Sequence, residues 1–289
     1  MKIAYFADGV WAQNLFKKVL LNPNLKIVLV VLRNNKDKKL EKMALKACIP
    51  CIYGVDINSF SFIKELEKYK PDLLVSMSFD QIFKSEILRL YHRKIINCHA
   101  GKLPFYRGRN ILNWALINDE KEFGISVHFV DSGIDTGDLI LQKSYAISDK
   151  DDYTTLLKLS YKECANLLYE VLLMFLKGVV RSYKQDGFYC KKRKKGDEFI
   201  DLNQNTRELF NFIRALNAPN LGASAFINSK EIKLFKSKII KDEFKKAKIG
   251  QIVQKDEKSF VFKTKDGALK VTKFKGEICL NDKLSGGGD

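Results

Sequence analysis

The first hundred residues alternate between short apolar runs and segments in which apolar side chains recur at helical spacing. The runs that predict strands, because they are short and rich in β-branched residues, are residues 2–6, 27–32, 51–53, 72–77 and 95–99. Helices are predicted around residues 11–20, 40–46 and 61–68. Buried strands that alternate with helices indicate an α/β fold with a doubly wound, Rossmann-like, mostly parallel sheet. Because ligands of such sheets bind beyond the carboxyl ends of the strands, residues there are the first candidates for function.

The second half of the chain departs from this pattern. A long amphipathic helix is predicted over residues 154–176, and a charged stretch rich in chain-breaking residues follows at 191–197. Beyond a helix at 206–216, short alternating runs separated by turn signals predict a small antiparallel barrel. The predicted organisation is a large α/β domain at residues 1–190, a linker at 191–204, a small β-rich, OB-like domain at 205–284 and a disordered tail at 285–289.

The net charge of +17 is compatible with an anionic partner. Arginine, whose planar fork suits phosphate and base recognition, supplies only nine of the 51 basic residues. Lysines spread over every segment favour a charged surface, so we expect no nucleic-acid partner.

Cysteine spacing and hydropathy argue against a metal-binding protein and against a secreted or membrane protein. Cys48 and Cys51 form a close pair, but a second pair and nearby histidines are missing from the sequence around them, so no metal site is predicted. The amino terminus does not resemble a signal peptide, and no apolar run is long enough to span a bilayer. We therefore expect a cytoplasmic protein with no membrane partner.

The residues most informative about chemistry lie between positions 97 and 137. Asn97 and His99 stand at the end of a predicted buried strand, and the alternation of a strand places both side chains on the same side. A loop with two arginines follows at residues 101–110, then a helix at 112–117, a strand at 125–130 and a second loop that contains Asp135.

Four motifs in this region occur in a recognisable order. Asn97-x-His99, Leu103-Pro-x-x-Arg107-Gly, Gly124-Ile-Ser-Val-His-Phe-Val and Asp135-Thr-Gly together resemble the N10-formyltetrahydrofolate-dependent formyltransferase family, and so does the 36-residue interval from His99 to Asp135. The resemblance implies the formyltransferase fold, N10-formyltetrahydrofolate as cosubstrate and a catalytic trio of Asn97, His99 and Asp135.

Acyl-transfer chemistry gives each member of this trio a role. Attack of an amine on a formyl carbonyl develops an oxyanion and a cationic nitrogen, so the site needs a hydrogen-bond donor and a proton acceptor. We expect Asn97 to donate, His99 to accept the amine proton, and Asp135 to orient His99 and favour its cationic form. Taken singly, each residue is also compatible with a cap, a buried structural histidine or a turn. His128 is equally compatible with a structural and a supporting role.

The resemblance also implies where the folate binds. The segment Met77, Ser78, Phe79, Asp80 and Ile82 resembles the family loop whose main chain recognises the pterin ring, and Gly133 is expected to join it. A plain strand-to-helix turn is the alternative interpretation of this segment.

The acceptor amine is harder to identify. The segments around Arg207–Leu216 and Asp266–Leu269 resemble a small domain shared by methionyl-tRNA and some sugar-nucleotide formyltransferases. The loop at 101–114 is similar to enzymes that formylate nucleotide-linked amino sugars, and residues 33–48 look too short for the insertion with which tRNA enzymes grip the acceptor stem. The acceptor contacts implied by this loop are Lys102, Tyr106, Arg107, Arg109, Asn110 and Trp114.

We therefore expect a homodimer that formylates a dTDP- or UDP-linked amino-deoxysugar for surface polysaccharide such as the O-antigen of lipopolysaccharide. Methionyl-tRNA formylation is the first alternative. A folate hydrolase and a catalytically silent binding protein are the others. Arg107 is also compatible with bracing its loop. The lysine-rich run at 191–195 offers the one or two cations that a diphosphate needs, and a solvated linker is the alternative interpretation.

Overall fold

The computed structural model of the chain describes residues 1–34 and 37–287. Its first elements, in chain order, are β1 (Lys2–Ala7), α1 (Gly9–Leu20), β2 (Lys26–Leu32), α2 (Lys38–Lys46), β3 (Cys51–Ile52), α3 (Phe60–Lys68), β4 (Leu73–Met77), α4 (Ser85–Leu90) and β5 (Ile95–His99). The next are β6 (Arg107–Gly108), α5 (Ile111–Ile117), β7 (Glu122–Phe129), β8 (Leu139–Ala146), α6 (Tyr153–Lys177) and β9 (Tyr189–Cys190). The last are α7 (Thr206–Ala215), β10 (Ala223–Ile227), β11 (Lys230–Ile240), β12 (Ile252–Lys255), β13 (Phe260–Lys263) and β14 (Ala268–Lys275).

Seven strands form the main sheet in the order β3-β2-β1-β4-β5-β7-β8. The pairs from β3 to β5 are parallel, and β7 runs antiparallel to β5. The predicted α/β fold with a mostly parallel sheet is thus confirmed. Every residue of β4 is buried, because helices on both sides of a doubly wound sheet cover both faces of its central strands.

Local sequence explains where the helices begin and which face they bury. Ser59 accepts a hydrogen bond from the Phe62 main-chain N–H at the start of α3, and the Asp37 carboxylate caps α2 in the same way. The apolar faces of α3 and α4 pack on the sheet, so that Phe62 and Ile87 join Phe6 of β1 in one buried cluster. This packing fixes the strand ends that carry the polar residues described below.

Four elements were missing from the sequence prediction, and two of them, β6 and β9, are only two residues long. Strand β8 contains Gln142, Lys143 and Ser144, and its position at the edge of the sheet exposes polar residues that mask a strand pattern. Helix α4 has six residues, fewer than the periodicity of a helix needs to become visible.

The chain divides into two compact units. The first comprises Met1–Gly108, Phe123–Tyr145 and Lys158–Cys190, and the second comprises Arg109–Glu122, Ala146–Leu157 and the chain from Lys191 onward. The division therefore differs from the predicted domains at 1–190 and 205–284, because two internal segments and the predicted linker at 191–204 group with the second unit.

The second unit contains a five-stranded antiparallel sheet in the order β10-β11-β14-β13-β12. Ser285, the first residue of the predicted tail, pairs through both its N–H and its carbonyl with Phe226 at the edge of this sheet. The last two residues of that predicted tail, 288 and 289, lie outside the described residues. Among the residues that the structure describes, no helix is both long and apolar enough to cross a bilayer.

Candidate active site

The register between β5 and β7 brings three polar side chains to one face of the sheet. Asn97 lies directly opposite His128, and His99 lies opposite Ser126. Directly opposed residues of an antiparallel pair share a face, as do alternate residues of one strand. Asn97, His99 and His128 therefore point to the same side, and the Asn97 amide nitrogen lies 3.2 Å from Nε2 of His128.

Asp135 completes this group from the loop after β7. Its Oδ2 lies 3.5 Å from Nδ1 of His99, and its Oδ1 lies 3.3 Å from Nε2 of His128. The Asn97 amide donates to Oδ1 at 3.5 Å, and the main-chain N–H of Gly108 donates to Oδ2 at 3.0 Å. The structure thus brings the predicted trio together, with one carboxylate between two imidazoles.

The environment of Asp135 keeps its carboxylate ionised. Burial by itself would raise the pKa of Asp135, but the two imidazoles and the Gly108 N–H outweigh it and hold this pKa well below its usual range. An ionised carboxylate at this position stabilises positive charge that forms on either ring during a reaction.

The imidazole of His99 is oriented by the main chain. Its Nε2 lies 2.7 Å from the carbonyl oxygen of Tyr106, so this nitrogen carries a proton and donates it. A Cβ on Gly101 would lie 2.4 Å from Nε2, which shows that the loop packs closely against the ring. In the neutral ring Nδ1 is then unprotonated, and it is this nitrogen that faces Asp135. Orientation, which the sequence analysis attributed to Asp135, is supplied here by the Tyr106 carbonyl as well.

His128 belongs to the site. Its Nδ1 lies 2.7 Å from the carbonyl oxygen of Phe129, a contact that assigns the proton of the neutral ring to Nδ1. Nε2 can then accept from the Asn97 amide, or donate to Asp135 when the ring is protonated. The sequence left His128 undecided because strand alternation alone does not reveal that Asn97 is its cross-strand partner.

A segment that the sequence analysis missed holds the two site loops. The Gln185 amide donates to the carbonyl oxygens of Asp135 and Gly137, at 3.2 and 2.5 Å. The Arg107 guanidinium donates to the carbonyl oxygens of Gln185 and Gly187, at 3.3 and 3.2 Å, and its side chain is buried. These contacts favour the loop brace over substrate contact for Arg107. Residues 183–190 show no periodic pattern and match no motif. Their polar residues were therefore the only sign of a functional role in the sequence.

The other predicted acceptor contacts differ from Arg107 in their exposure and in their hydrogen bonds. Arg109 and Asn110 are exposed, and the Asn110 side-chain oxygen accepts from the main-chain N–H of Arg193 at 3.2 Å. The Trp114 indole donates to the carbonyl oxygen of Lys191 at 2.7 Å. Tyr106 is buried, whereas Lys102 is half-buried. Arg109 thus has the most accessible charge of this predicted set.

The predicted folate loop begins at the buried end of β4. Met77 and Phe79 lie in or against the core, Ser78 has a positive φ of 56°, and Asp80 and Ile82 are exposed. Gln81 ties the loop to the 55–57 segment, because its amide donates to Val55 and its oxygen accepts from Ile57. This tie holds the main chain of the loop in place, as recognition of a pterin edge by main-chain groups would require.

Gly133, the remaining predicted folate contact, lies in the turn that carries Asp135. A Cβ at this position would meet the Thr136 hydroxyl at 2.1 Å, so the turn leaves no room for a side chain. The Asp131 carboxylate accepts from both the Gly133 N–H and the Thr136 hydroxyl, at 3.1 and 2.5 Å. These contacts fix the turn from which the Asp135 carboxylate projects.

A charged group beside the folate loop was also missed. Arg33, directly after β2, lies 3.2 Å from Asp8 and donates to the Ser78 hydroxyl at 3.2 Å. Burial raises the pKa of Asp8, although the Arg33 charge opposes that shift. All three residues follow the carboxyl ends of parallel strands, and this shared position was the available signal. Within residues 1–34 and 37–287, no group of three or more His, Cys, Asp or Glu side chains is arranged to hold a metal ion.

Comparison with known proteins shows several relatives of the chain. The methionyl-tRNA formyltransferase of Thermodesulfovibrio yellowstonii is 31% identical over 265 residues, which cover 88% of this chain and 84% of that protein. The bifunctional polymyxin resistance protein ArnA of Wigglesworthia glossinidia brevipalpis is 36% identical over 209 residues, which cover 71% of this chain and 32% of that protein. The crystal structure of WlaRD, a sugar 3N-formyl transferase solved in the presence of dTDP and 5-N-formyl-THF, has the same fold, with a TM-score of 0.73, 23% identity and coverage of 96% of this chain and 99% of that one.

Two family models match consecutive parts of the chain. The model described as formyl transferase matches residues 1–172, and the model of the formyl transferase C-terminal domain matches residues 192–279. Because the first of these matches covers more than half of the chain, the chain belongs to the formyl transferase family.

Proposed function

We propose that the chain transfers the formyl group of N10-formyltetrahydrofolate to the amine of a dTDP- or UDP-linked amino-deoxysugar, in making surface polysaccharide such as lipopolysaccharide O-antigen. The observation that supports this chemistry is that the Asp135 carboxylate lies 3.5 Å from the Asn97 amide nitrogen and 3.5 Å from Nδ1 of His99. The trio supplies the donor and the acceptor that formyl transfer needs.

Each side chain has one task in this reaction. Asn97 is half-buried, so a bound formyl oxygen can reach its amide, which donates to the negative charge that develops there. Nδ1 of His99 takes the proton of the attacking amine and returns one to the departing folate nitrogen. Asp135 stabilises the protonated ring between these steps, because its carboxylate is ionised and faces Nδ1.

The residues present fit a folate donor. The Asn97 amide is a neutral hydrogen-bond donor and the His99 imidazole an ionisable one, and the formyl carbonyl of a folate can accept from both. The hydrogen bonds of Gln81 with Val55 and Ile57 hold the neighbouring loop in place. Met77, Ser78, Phe79, Asp80 and Ile82 would hold the pterin through main-chain groups of this loop, with Gly133 from the Asp135 turn. The folate supplies the activated formyl group, and the side chains of this chain move the proton.

The sugar acceptor is supported by the loops. The exposed Arg109 and Asn110 suit the hydroxyl and diphosphate groups of a nucleotide sugar, which needs only one or two cations. Residues 33–37 alone connect β2 to α2, and this short connection leaves little room for an insertion that binds a tRNA acceptor stem. The likeness in fold to WlaRD, whose structure was obtained with dTDP, is consistent with this choice.

Methionyl-tRNA formylation is the second candidate. The 31% identity to the enzyme of Thermodesulfovibrio yellowstonii over most of both chains favours it, and so does the net charge of +17. A cytoplasmic location and a homodimer remain expectations, the latter open to a measurement of molar mass in solution.

A product assay separates the two candidates. The protein is incubated with N10-formyltetrahydrofolate and either a panel of dTDP- and UDP-linked amino sugars or charged methionyl-tRNA, and products are weighed by mass spectrometry. A formylated sugar is heavier by about 28 mass units, because a formyl group replaces an amine hydrogen. Formylated methionyl-tRNA without any formylated sugar would falsify the leading proposal. In either case His99→Ala should abolish turnover while leaving nucleotide binding nearly unchanged.

A further inference from the structure

Two exposed aromatic rings lie beside the candidate active site. Phe105 and Phe188 expose 48% and 52% of their surfaces, although their ring centroids are only 5.4 Å apart. Tyr106, which is buried, supports Phe188 at 5.9 Å. We call Phe105, Tyr106 and Phe188 the aromatic platform. Large rings that contact each other yet remain exposed are typical of a binding surface.

The platform is held in place by close main-chain packing. A Cβ on Gly187 would lie 2.0 Å from the carbonyl oxygen of Pro104, so the two segments that carry the rings approach each other without a side chain between them. The Arg107 guanidinium donates to Gly187, and the Arg107 main-chain N–H donates to the carbonyl oxygen of Phe188 at 3.3 Å. A surface already fixed in one conformation loses little entropy when a ligand binds.

In the order of the main sheet, the segment that carries Phe188 pairs on the β8 side of β5, and the predicted folate loop follows β4 on the other side. The carbonyl oxygen of Tyr106 contacts Nε2 of His99, and the segment of Phe188 begins at the bridge between Tyr183 and Leu139, the first residue of β8. The folate loop follows β4, which borders β5 on its other side. A reaction between two substrates requires that they meet at the trio from different directions, so the platform lies on the acceptor's side.

The chemistry of the flanking residues identifies the ligand class. In the chain, Phe105 is followed four positions later by Arg109, and Phe188 is followed by Lys191 and Lys192, all exposed. Rings that are followed so soon in the sequence by cations suit a planar base joined to phosphate groups, since every base can stack on a ring and the phosphates need positive charge.

We propose that Phe105 and Phe188 stack the pyrimidine base of the nucleotide-linked acceptor. The proposal rests on the proposed function and adds a site for the base, formed by two rings that are not among the predicted acceptor contacts. Stacking of one base on an aromatic side chain is worth roughly a fivefold to hundredfold change in Kd. The base therefore anchors the acceptor at a distance from its reacting amine.

Binding measurements test the platform independently of turnover. UDP and dTDP are titrated by calorimetry into the full chain and into Phe188→Ala and Phe105→Ala, with inorganic pyrophosphate as a probe that has no base. Tyr183→Ala is the matched control, because Tyr183 is 64% exposed in the same segment but outside the platform. Folate binding is followed with 5-formyltetrahydrofolate, which also reports that each variant is folded.

We expect both platform variants to weaken UDP and dTDP binding roughly tenfold to a hundredfold. Pyrophosphate and folate binding should stay within about twofold, and Phe188→Trp should restore nucleotide binding, since a larger ring stacks at least as well. Unchanged nucleotide binding in both alanine variants would overturn the proposal, as would failure of the full chain to bind either nucleotide. Weakened folate binding would assign the platform to the donor instead.

The same set of measurements keeps the two proposals apart. If the chain binds nucleotides through the platform but formylates no nucleotide sugar, the proposed function fails and the platform stands. If it formylates nucleotide sugars with unchanged KM in both alanine variants, the function stands and the platform fails.

Discussion

Nε2 of His99 lies 2.7 Å from the main-chain carbonyl oxygen of Tyr106, so a main-chain group fixes the ring whose other nitrogen faces Asp135. The proton on Nε2 is committed to this hydrogen bond, and Nδ1 alone is left for chemistry. The path of the 101–108 loop therefore decides the orientation of the imidazole. Asp135 acts on the charge of the ring.

Substitution of Gly101 by alanine tests this relationship. The new Cβ would lie 2.4 Å from Nε2 of His99 and 2.6 Å from the Tyr106 carbonyl oxygen, so the ring or the loop must move. Because misplacement of a catalytic group by about 1 Å can cost roughly a hundredfold, we expect kcat to fall by that amount. Gly178→Ala controls for backbone strain away from the ring, since its Cβ would meet nothing within 4 Å while its φ of +66° disfavours alanine, and it should leave kcat nearly unchanged. Wild-type turnover of Gly101→Ala would show that the ring does not depend on this loop.

Asp135→Asn keeps the size of the side chain and removes its charge. The carboxylate stabilises the protonated form of His99, so we expect a loss in kcat of roughly a thousandfold or more, with donor binding nearly unchanged. Asp138→Asn, in the same loop but paired with Arg93, should retain kcat within about twofold. Single-turnover formylation at saturating donor measures both. A variant of Asp135 with more than a tenth of wild-type activity would remove the carboxylate from the mechanism.

The pKa of Asp135 also makes a prediction about stability. Burial raises this pKa, but His99, His128 and Gly108 together lower it well below the usual value, so the unfolded chain binds the proton more readily than the folded one. The stabilisation from this group is therefore complete above the unfolded pKa of about 3.9 and is lost as the pH falls below it. The difference in unfolding free energy between wild type and Asp135→Asn, measured with urea, should be constant near neutral pH and decrease only in acid. A decrease of this free-energy difference between neutral pH and about pH 5 would contradict a lowered pKa of Asp135.

His128→Gln removes the second imidazole from the carboxylate. One of the groups that lower the pKa of Asp135 is then lost, so this pKa should move upward towards its ordinary value, as an NMR titration of the carboxyl group would record. We also expect kcat to fall by roughly tenfold to a hundredfold, because the Asn97 amide loses a neighbour that positions it. A histidine with only a structural role would change the unfolding temperature and leave the pKa of Asp135 where it is.

The sequence predicted the strand ends better than the contacts between them. Asn97 and His99 were found because alternation in a buried strand is visible in one sequence, whereas Asp135 depended on the family resemblance, since a turn aspartate has no distinctive pattern. The pairing of Asn97 with His128 needs the β5–β7 register, and that register is set by packing in the folded sheet. Gln185 and Phe188 escaped notice because residues 183–190 follow neither a helical nor a strand period.

Gln185 gives the sharpest test of how the site is held. Its amide donates to the carbonyl oxygens of Asp135 and Gly137, and its side-chain oxygen lies 3.5 Å from the Arg107 guanidinium. We expect Gln185→Ala to lower kcat by roughly tenfold to a hundredfold, because the loop that carries Asp135 is released while the substrates still bind.

A double-mutant cycle shows whether Gln185 acts through Asp135. If it does, Gln185→Ala should cost little more once Asp135→Asn is present, since residues that serve one interaction are not additive. Gln142→Ala is the matched control, because Gln142 donates to Leu103 and Ser126 and has no contact with the Asp135 loop among its described hydrogen bonds. Its effect should add to that of Asp135→Asn. Full additivity of Gln185→Ala with Asp135→Asn would mean that Gln185 influences turnover by another route, and the 183–190 segment would then be a structural support only.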